Sequence, residues 1–417
     1  MKIKFSPYEA LYYLITAMLV GIFLIFGIKI DTLRNYGTIL SIVSLILFIP
    51  TFIYRFKSFP KSAKFYSVLL IACIFLGVYI ASTRYGYNIS NIFFVSRQYI
   101  WIMLFWLPLV LFIQKQSNFD KVIRNIINIL IFSLCIRAFV WATYTYGDLE
   151  LFPTILREFG DLWFRNETSV RVDGTPLIAV GILLSYYQYL NTRSKLDLFK
   201  IIFILGYIVF VAQTRMLTFT LICALVVMNL AIKDNNLKKL KTATTTSVLL
   251  LISVGMLFSN KIVLFFGDMA AKQDLGIGYR FWEMKYYQSI LLPDNWKLGM
   301  GALTSSNPDA QFVLNGARGT KMFLDDLGIY ELFFQFGVLS LLLYGFLIYK
   351  LIVLIRRLNH EMIKERALFI GFLVYIILSM ISLNIYGIQR SFSLSFILAI
   401  MFYIDYLLNN MRKHENG

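Results

Sequence analysis

A guanidinium is permanently charged and planar, and its fork of donors grips two phosphate oxygens at once. Arginines of this chain recur beside the ends of long apolar runs. Arg171 opens Arg171-Val172-Asp173-Gly174-Thr175-Pro176, Arg215 follows Gln213-Thr214, and Arg280 lies in Gly278-Tyr279-Arg280-Phe281-Trp282-Glu283. Gathered at one membrane surface, these groups would cradle a diphosphate head group. Arg84, Arg97 and Arg390 hold similar places, but an arginine at a helix end also simply reaches for the interface, the preferred reading for Arg84 and Arg97. Carboxylates supply the complementary chemistry. Asp325-Asp326 stand shortly after Arg318 and Lys321. One of the two acids could accept a proton, both could favour the positive end of a following helix, or they could ligate a metal. No histidine lies near them, so neither metal nor cofactor is expected. Arg137 and Glu331 fall inside apolar runs, where ionisable groups face protein or water.

The elements that must position these residues cross a membrane. With 59% hydrophobic and 17% aromatic residues, the chain reads as one all-α polytopic domain, residues 1–417. About twelve apolar runs reach the ~17–25 residues that a bilayer demands. They lie near 8–28, 36–54, 65–82, 93–113, 122–146, 174–191, 198–213, 216–232, 244–260, 328–353, 366–384 and 391–409. The first run follows a basic start but is long for a signal peptide and has no small-x-small cleavage site, so a retained span is expected. Short loops alternate between Lys/Arg-rich and Lys/Arg-poor, which predicts both termini on the cytoplasmic side. The Gly147–Asp173 loop and a large loop, 261–327, between the ninth and tenth spans then lie outside. The net charge of +17 is explained by those basic loops, and no compact basic stripe with stacking aromatics suits nucleic acid. Cys73, Cys135 and Cys223 sit in apolar runs without metal-ligand or disulfide spacing.

Within the large loop, 278–290 reads as a helix with an apolar-aromatic stripe of Tyr279, Trp282, Tyr286 and Ile290. Packing on the bundle is the common use of such a stripe. Aromatics beside charge also suit sugar rings, which makes Trp282 and Glu283 candidate substrate contacts, with Arg280 and Glu283 spaced to pair. Leu291-Leu292-Pro293 ends the helix. Gly299-Met300-Gly301 reads as a flexible turn; it follows no strand and lacks the lysine of a phosphate loop.

Over roughly residues 165–350 the chain resembles the bacterial O-antigen polymerase and ligase superfamily, more specifically the Wzy-type polysaccharide polymerases. The resemblance rests on Arg171-x-Asp173-Gly174-Thr175-Pro176, Thr214-Arg215, and Arg280 with Trp282 ahead of Pro293. It continues through Gly299-x-Gly301 and Asp325-Asp326-x-Gly328 to Gln335-Phe336-Gly337. It implies a GT-C-like fold in the bacterial plasma (inner) membrane. The implied reaction moves glycan between undecaprenyl-diphosphate carriers at the outer face, with a chain-length regulator protein as a partner the family admits. On this resemblance Arg171, Arg215 and Arg280 bind the diphosphate, with Asp173 beside them. Asp326, with Asp325 second, takes the proton of the attacking sugar hydroxyl, and Arg318 and Lys321 hold a carrier or tune those acids. The ligase branch carries a histidine where this chain has Asp326, and this departure favours a polymerase. A ligase, a twelve-span lipid-linked oligosaccharide transporter and a passive scaffold are the competing readings.

Overall fold

A computed structural model describes residues 7–114, 119–158, 160–166, 169–232, 282–291, 295–315, 322–358 and 362–415. The order of helices is α1 (Pro7–Leu19), α2 (Ile30–Tyr54), α3 (Lys61–Tyr85), α4 (Ile89–Met103), α5 (Trp106–Gln114), α6 (Phe119–Gly147) and the short α7 (Pro153–Leu156). A two-stranded antiparallel hairpin follows, β1 (Phe164–Asn166) with β2 (Ser169–Val170). Then come α8 (Ile178–Thr192), α9 (Lys195–Gly206), α10 (Arg215–Ala231), α11 (282–291) and α12 (Pro308–Asn315). The last four are α13 (Ile329–Phe336), α14 (Val338–Arg357), α15 (Ile363–Ser379) and α16 (Ser391–Glu415).

Six stretches among the described residues are long and apolar enough to cross a bilayer: Ile30–Tyr54, Lys61–Tyr85, Ile89–Gln114, Phe119–Gly147, Val338–Arg357 and Ser391–Met411. The protein is therefore an all-α membrane-embedded chain, and among the described residues six of the twelve apolar runs give such stretches. Glycine explains one shortfall and shortens another run. The first run breaks at Gly21 and Gly27, both at positive φ, around a 3₁₀ turn. The tenth is cut at Gly337, whose φ of 58° is one that only glycine adopts without strain. Runs six to eight and eleven form helices of 15, 12, 17 and 17 residues. The ninth, 244–260, lies outside the described residues.

Burial separates centre from rim. The apolar window of α16 is 89% buried, whereas that of α2 is 28% buried. α2 turns Ile39, Ile46, Leu47 and Ile53 outward, as a helix facing lipid should. α16 packs against α4, α5, α8 and α14, and small Ser391, Ser393 and Ser395, all buried, let its neighbours approach closely. Far from the loop, buried Asp405 is held by Lys350 at 2.7 Å, Arg357 at 3.0 Å and Ser62 at 2.7 Å.

At the opposite, loop-bearing end a clasp ties segment 295–315 to the bundle. Met300 and Gly301 donate their backbone N–H groups to the carbonyls of Phe334 and Gln335, at 2.8 and 3.0 Å. These acceptors lie in the last turn of α13, where carbonyls otherwise lack partners. Ala302 N–H bonds the Gly77 carbonyl at 3.0 Å, and the Tyr85 and Tyr87 hydroxyls donate to the Met300 and Ala302 carbonyls. A Cβ on Gly301 would stand 2.7 Å from Ala81 N, and one on Gly299 would strike the Gln335 carbonyl. The Gly299-Met300-Gly301 turn is thus a fitted latch rather than a flexible hinge.

A second, smaller core sits beneath the loop, built from Tyr287, Leu291, Met300, Met322, Leu324, Leu327 and Phe334. It places the packed face of α11 one residue away from the expected stripe. Glu283, Tyr287 and Leu291 point inward, Tyr286 and Ile290 flank them, and Trp282 is 41% exposed. The reason is non-local: Met300, Leu327 and Phe334 decide which side of α11 is covered.

Candidate functional site

The β1–β2 hairpin sets the first part of the site. Its register extends past the strands, since Arg171 N–H donates to the Trp163 carbonyl at 2.7 Å. Residues 163 and 171 are therefore cross-strand neighbours, and the Arg171 guanidinium lies 4.2 Å from the Trp163 ring centroid. This stacking fixes the plane of the fork. Arg171 Nη2 also reaches Asp173 Oδ1 at 3.4 Å.

The strap then docks on the α9–α10 corner. α9 loosens into a π-helical turn, Tyr207–Val211, and Gln213 takes a left-handed φ of 50°. Such irregular turns re-aim the backbone and cluster at functional places. Val172 N–H donates to the Val211 carbonyl at 3.2 Å, and Gln213 Nε2 donates to Ser169 Oγ at 2.9 Å. Arg215 is the first residue of α10, so Arg171, Asp173 and Arg215 share one corner.

Beneath that corner lies Arg137, only 2% exposed. Its Nη1 pairs with Glu158 Oε2 at 2.5 Å and donates to the Asp173 carbonyl at 3.3 Å. Tyr207 Oη donates to the same carbonyl at 2.9 Å. Gly21 makes room for this group, because a Cβ there would come within 2.6 Å of Arg137 Nη2. Arg137 is thus paired within the bundle and positions the strap from below.

The second part of the site is acidic. Asp325 and Asp326 occupy an exposed 3₁₀ turn, Leu324–Leu327, whose apolar ends are buried in the smaller core. Gly328, at φ 59°, separates this turn from α13, so the acids precede the helix without opening it. Glu283 is buried and accepts the Phe323 N–H at 2.7 Å, anchoring the chain that carries the two aspartates. Burial also pushes the Tyr287 phenol beside it well above its ordinary value, with the Glu283 charge adding to the effect. Trp282, exposed, remains accessible to a ligand. Arg280, Arg318 and Lys321 lie outside the described residues.

A third part centres on a residue that the sequence marked only as an acid inside an apolar run. Glu331 on α13 is 3% exposed. Its Oε2 accepts from Asn384 Nδ2 at 2.8 Å, and its Oε1 accepts from Gln335 Nε2 at 3.2 Å. Asn384 is oriented in turn, because its Oδ1 accepts from Tyr344 Oη at 3.0 Å and from Tyr386 N–H at 2.9 Å. The sequence signal was an acid one helical turn before a glutamine inside an apolar run. The partner Asn384, 53 residues away, was invisible.

Segment 380–390, between α15 and α16, joins the parts. It is largely buried although it is not a regular helix. Tyr386 accepts from Tyr66 Oη, at the far end of α3 from Tyr85, at 3.0 Å, so the segment dips deep into the bundle. Non-helical backbone at such depth is tolerated only when covered by protein or lining a polar cavity. Where α16 begins, Ser393 Oγ donates to the Pro176 carbonyl, tying that start to the Arg171–Asp173 strap. Arg390, three residues earlier, lies within electrostatic reach of Glu331.

Arg84 and Arg97 do other work. Arg84 pins the clasp through Asn295 Oδ1 and the Met300 sulfur, and Arg97 lies 3.8 Å from Asp31. Among the described residues no group of three or more His, Cys, Asp or Glu side chains has metal-holding geometry. No protein-family model matches the chain, and no curated protein matches it.

Proposed function

We propose that this protein is a glycosyltransferase of the Wzy type, a polymerase of lipid-linked repeat units at the outer face of the bacterial plasma membrane. In this reading the loop-bearing end faces outward and both termini are cytoplasmic, with further spans completing a GT-C-like bundle. The growing polysaccharide leaves its undecaprenyl-diphosphate carrier and joins a carrier-linked repeat unit. The observation that supports the reading is the backbone corner that brings the Arg171–Asp173 segment beside the turn before Arg215, braced by Arg137 and tied through Pro176–Ser393 to the start of α16. Negative charge grows on a departing diphosphate, and fixed guanidiniums stabilise it without reorganising. The donor already carries an activated bond, so the chemistry requires no nucleotide.

Deletion of the gene and complementation with point variants tests this, with surface glycan resolved on a gel. Arg171→Ala and Arg215→Ala should leave single repeats while protein levels in the membrane hold. Long chains retained on the carrier would instead identify a ligase. Wild-type ladders from both variants would remove the arginine cradle.

One observation favours a second reading, transport of the lipid-linked unit. Interrupted helices with buried polar groups at the break, as at Gly337 and segment 380–390, also build substrate sites in transporters. Labelled repeats trapped unpolymerised inside vesicles would support it.

A further inference from the structure

Glu331 is a carboxylate removed from water without a counter-ion. It has two amide donors, from Asn384 and Gln335, and no cation within ion-pair distance among the described residues. Arg390 is half-buried, lies within electrostatic reach of Glu331, and forms no ion pair among the described residues. Opposite charges this well sheltered would close on each other unless the fold held them apart. The fold does so. Asn384 is locked by Tyr344 and by the Tyr386 N–H, and it draws the carboxylate toward itself. Arg390 rides on the Gly387 turn, its N–H bonded to the Gly387 carbonyl at 2.9 Å.

Gly387 lets the backbone of this turn lie close to the Glu331 carboxylate. A Cβ on Gly387 would stand 3.8 Å from Glu331 Oε2, so any side chain there would face the carboxylate. Ser382 and Ser391 border the same turn. Both are buried, and their hydroxyls have no hydrogen-bond partner among the described residues. Buried polar atoms are nearly always bonded, so two orphan hydroxyls on the segment that carries Asn384 and Arg390 leave donors for a polar guest.

We propose that Glu331, rather than Asp326, is the catalytic base of the transfer, with Arg390 facing it across the acceptor. This rests on the polymerase reading. The acceptor sugar hydroxyl attacks the anomeric carbon of the donor glycan, and its oxygen forms the new glycosidic C–O bond. The bond from that carbon to the carrier phosphate oxygen breaks, its electron pair leaving with the undecaprenyl diphosphate. The hydroxyl proton passes to the Glu331 carboxylate, which later returns it to water. The Glu331 carboxylate is held in place by two amide donors beside the Gly387 turn. Asp326 lies on an exposed turn. The Ser382 and Ser391 hydroxyls would bind neighbouring sugar hydroxyls.

The test uses purified full-length protein in liposomes with synthetic undecaprenyl-diphosphate-linked repeats, product length being read on a gel. Carrier binding is measured separately with undecaprenyl diphosphate. Glu331→Gln keeps the shape and should lower turnover by roughly 10²-fold or more, the usual contribution of a positioned base, with carrier binding unchanged. Asp326→Asn should cost turnover less than Glu331→Gln does. If Glu331→Gln fails to fold, Glu331→Asp replaces it: it keeps the acid but displaces it, so its pH–rate profile should shift from the wild-type one. A Glu331→Gln protein as fast as wild type, or coincident wild-type and Glu331→Asp pH profiles, overturns the assignment. So does a dead Asp326→Asn beside an active Glu331→Gln. If wild type translocates repeats without lengthening them, the polymerase reading itself falls, and this inference with it.

Discussion

Removing the Glu158 carboxylate should cost more than removing any exposed charge in the protein. Glu158 is 7% exposed and its partner Arg137 is 2% exposed, with 2.5 Å between nitrogen and oxygen. Glu158→Ala leaves a buried guanidinium whose remaining contact is the Asp173 carbonyl at 3.3 Å. Breaking a buried pair from one side costs about 3–5 kcal/mol. Replacing both partners with apolar residues, as in Arg137→Leu with Glu158→Leu, removes the uncompensated charge and should recover most of that. What stays lost is the long bond to the Asp173 carbonyl, worth about 1.5 kcal/mol, the low end for a charged donor. Thermal melts of detergent-purified variants, followed by size-exclusion, measure this. The single variant should melt far below wild type and the double variant close to it. The double variant should still yield shortened glycan, because the strap carrying Arg171 is no longer braced. A Glu158→Ala protein that melts with wild type, or a double variant that loses as much as the two singles together, would refute a buried, coupled pair.

Arg215→Lys should restore little of the glycan lost in Arg215→Ala, because an ammonium lacks the planar fork; the ladder on a surface-glycan gel reads this. Gly337→Ala should prevent accumulation of folded protein, since it strains a positive φ and drives a Cβ into the Lys297 carbonyl; membrane-fraction immunoblots report it. The Tyr287 phenol is held above its ordinary value, chiefly by burial. Folding therefore favours the protonated phenol, and the smaller core should hold at neutral pH and weaken as pH rises beyond about 10, where an unfolded tyrosine ionises. Tryptophan fluorescence against pH checks this. Chelators should leave polymerisation unchanged, and loss of activity restored by a divalent cation would contradict the metal-free reading.

Where apolar runs were long and uniform, their helices were legible: 65–82 became α3, 122–146 became α6, and 391–409 became the core of α16. Short-range punctuation was partly legible too, since Gln213-Thr214-Arg215 does end one helix and begin another. Hydropathy could not say which runs face lipid and which face protein. α2 and α16 are both strongly apolar, and only packing separates them. Nor could it foresee breaks within apolar runs, because hydrophobicity continues through Gly21 and Gly337 while the backbone turns. The face of α11 was displaced by one residue because its covering partners come from the clasp and the turn before α13. For the site, Arg171, Asp173 and Arg215 were visible through their motifs, and the hairpin and π-turn that unite them were not. Glu331 drew little notice because its meaning lies in Asn384 and Arg390, contributed by a segment that reads as an ordinary connection but runs deep into the bundle.

The central claim is that the arginine corner holds the head group of a carrier lipid. Its most direct measurement is binding of undecaprenyl diphosphate to the purified protein, compared between wild type and the Arg171→Ala, Arg215→Ala pair. A charge-assisted bond to each guanidinium contributes about 1.5–3 kcal/mol, so losing both should weaken binding by well over 10-fold, with undecaprenol itself binding both proteins alike. Equal affinity of wild type and double variant for the diphosphate would contradict the account.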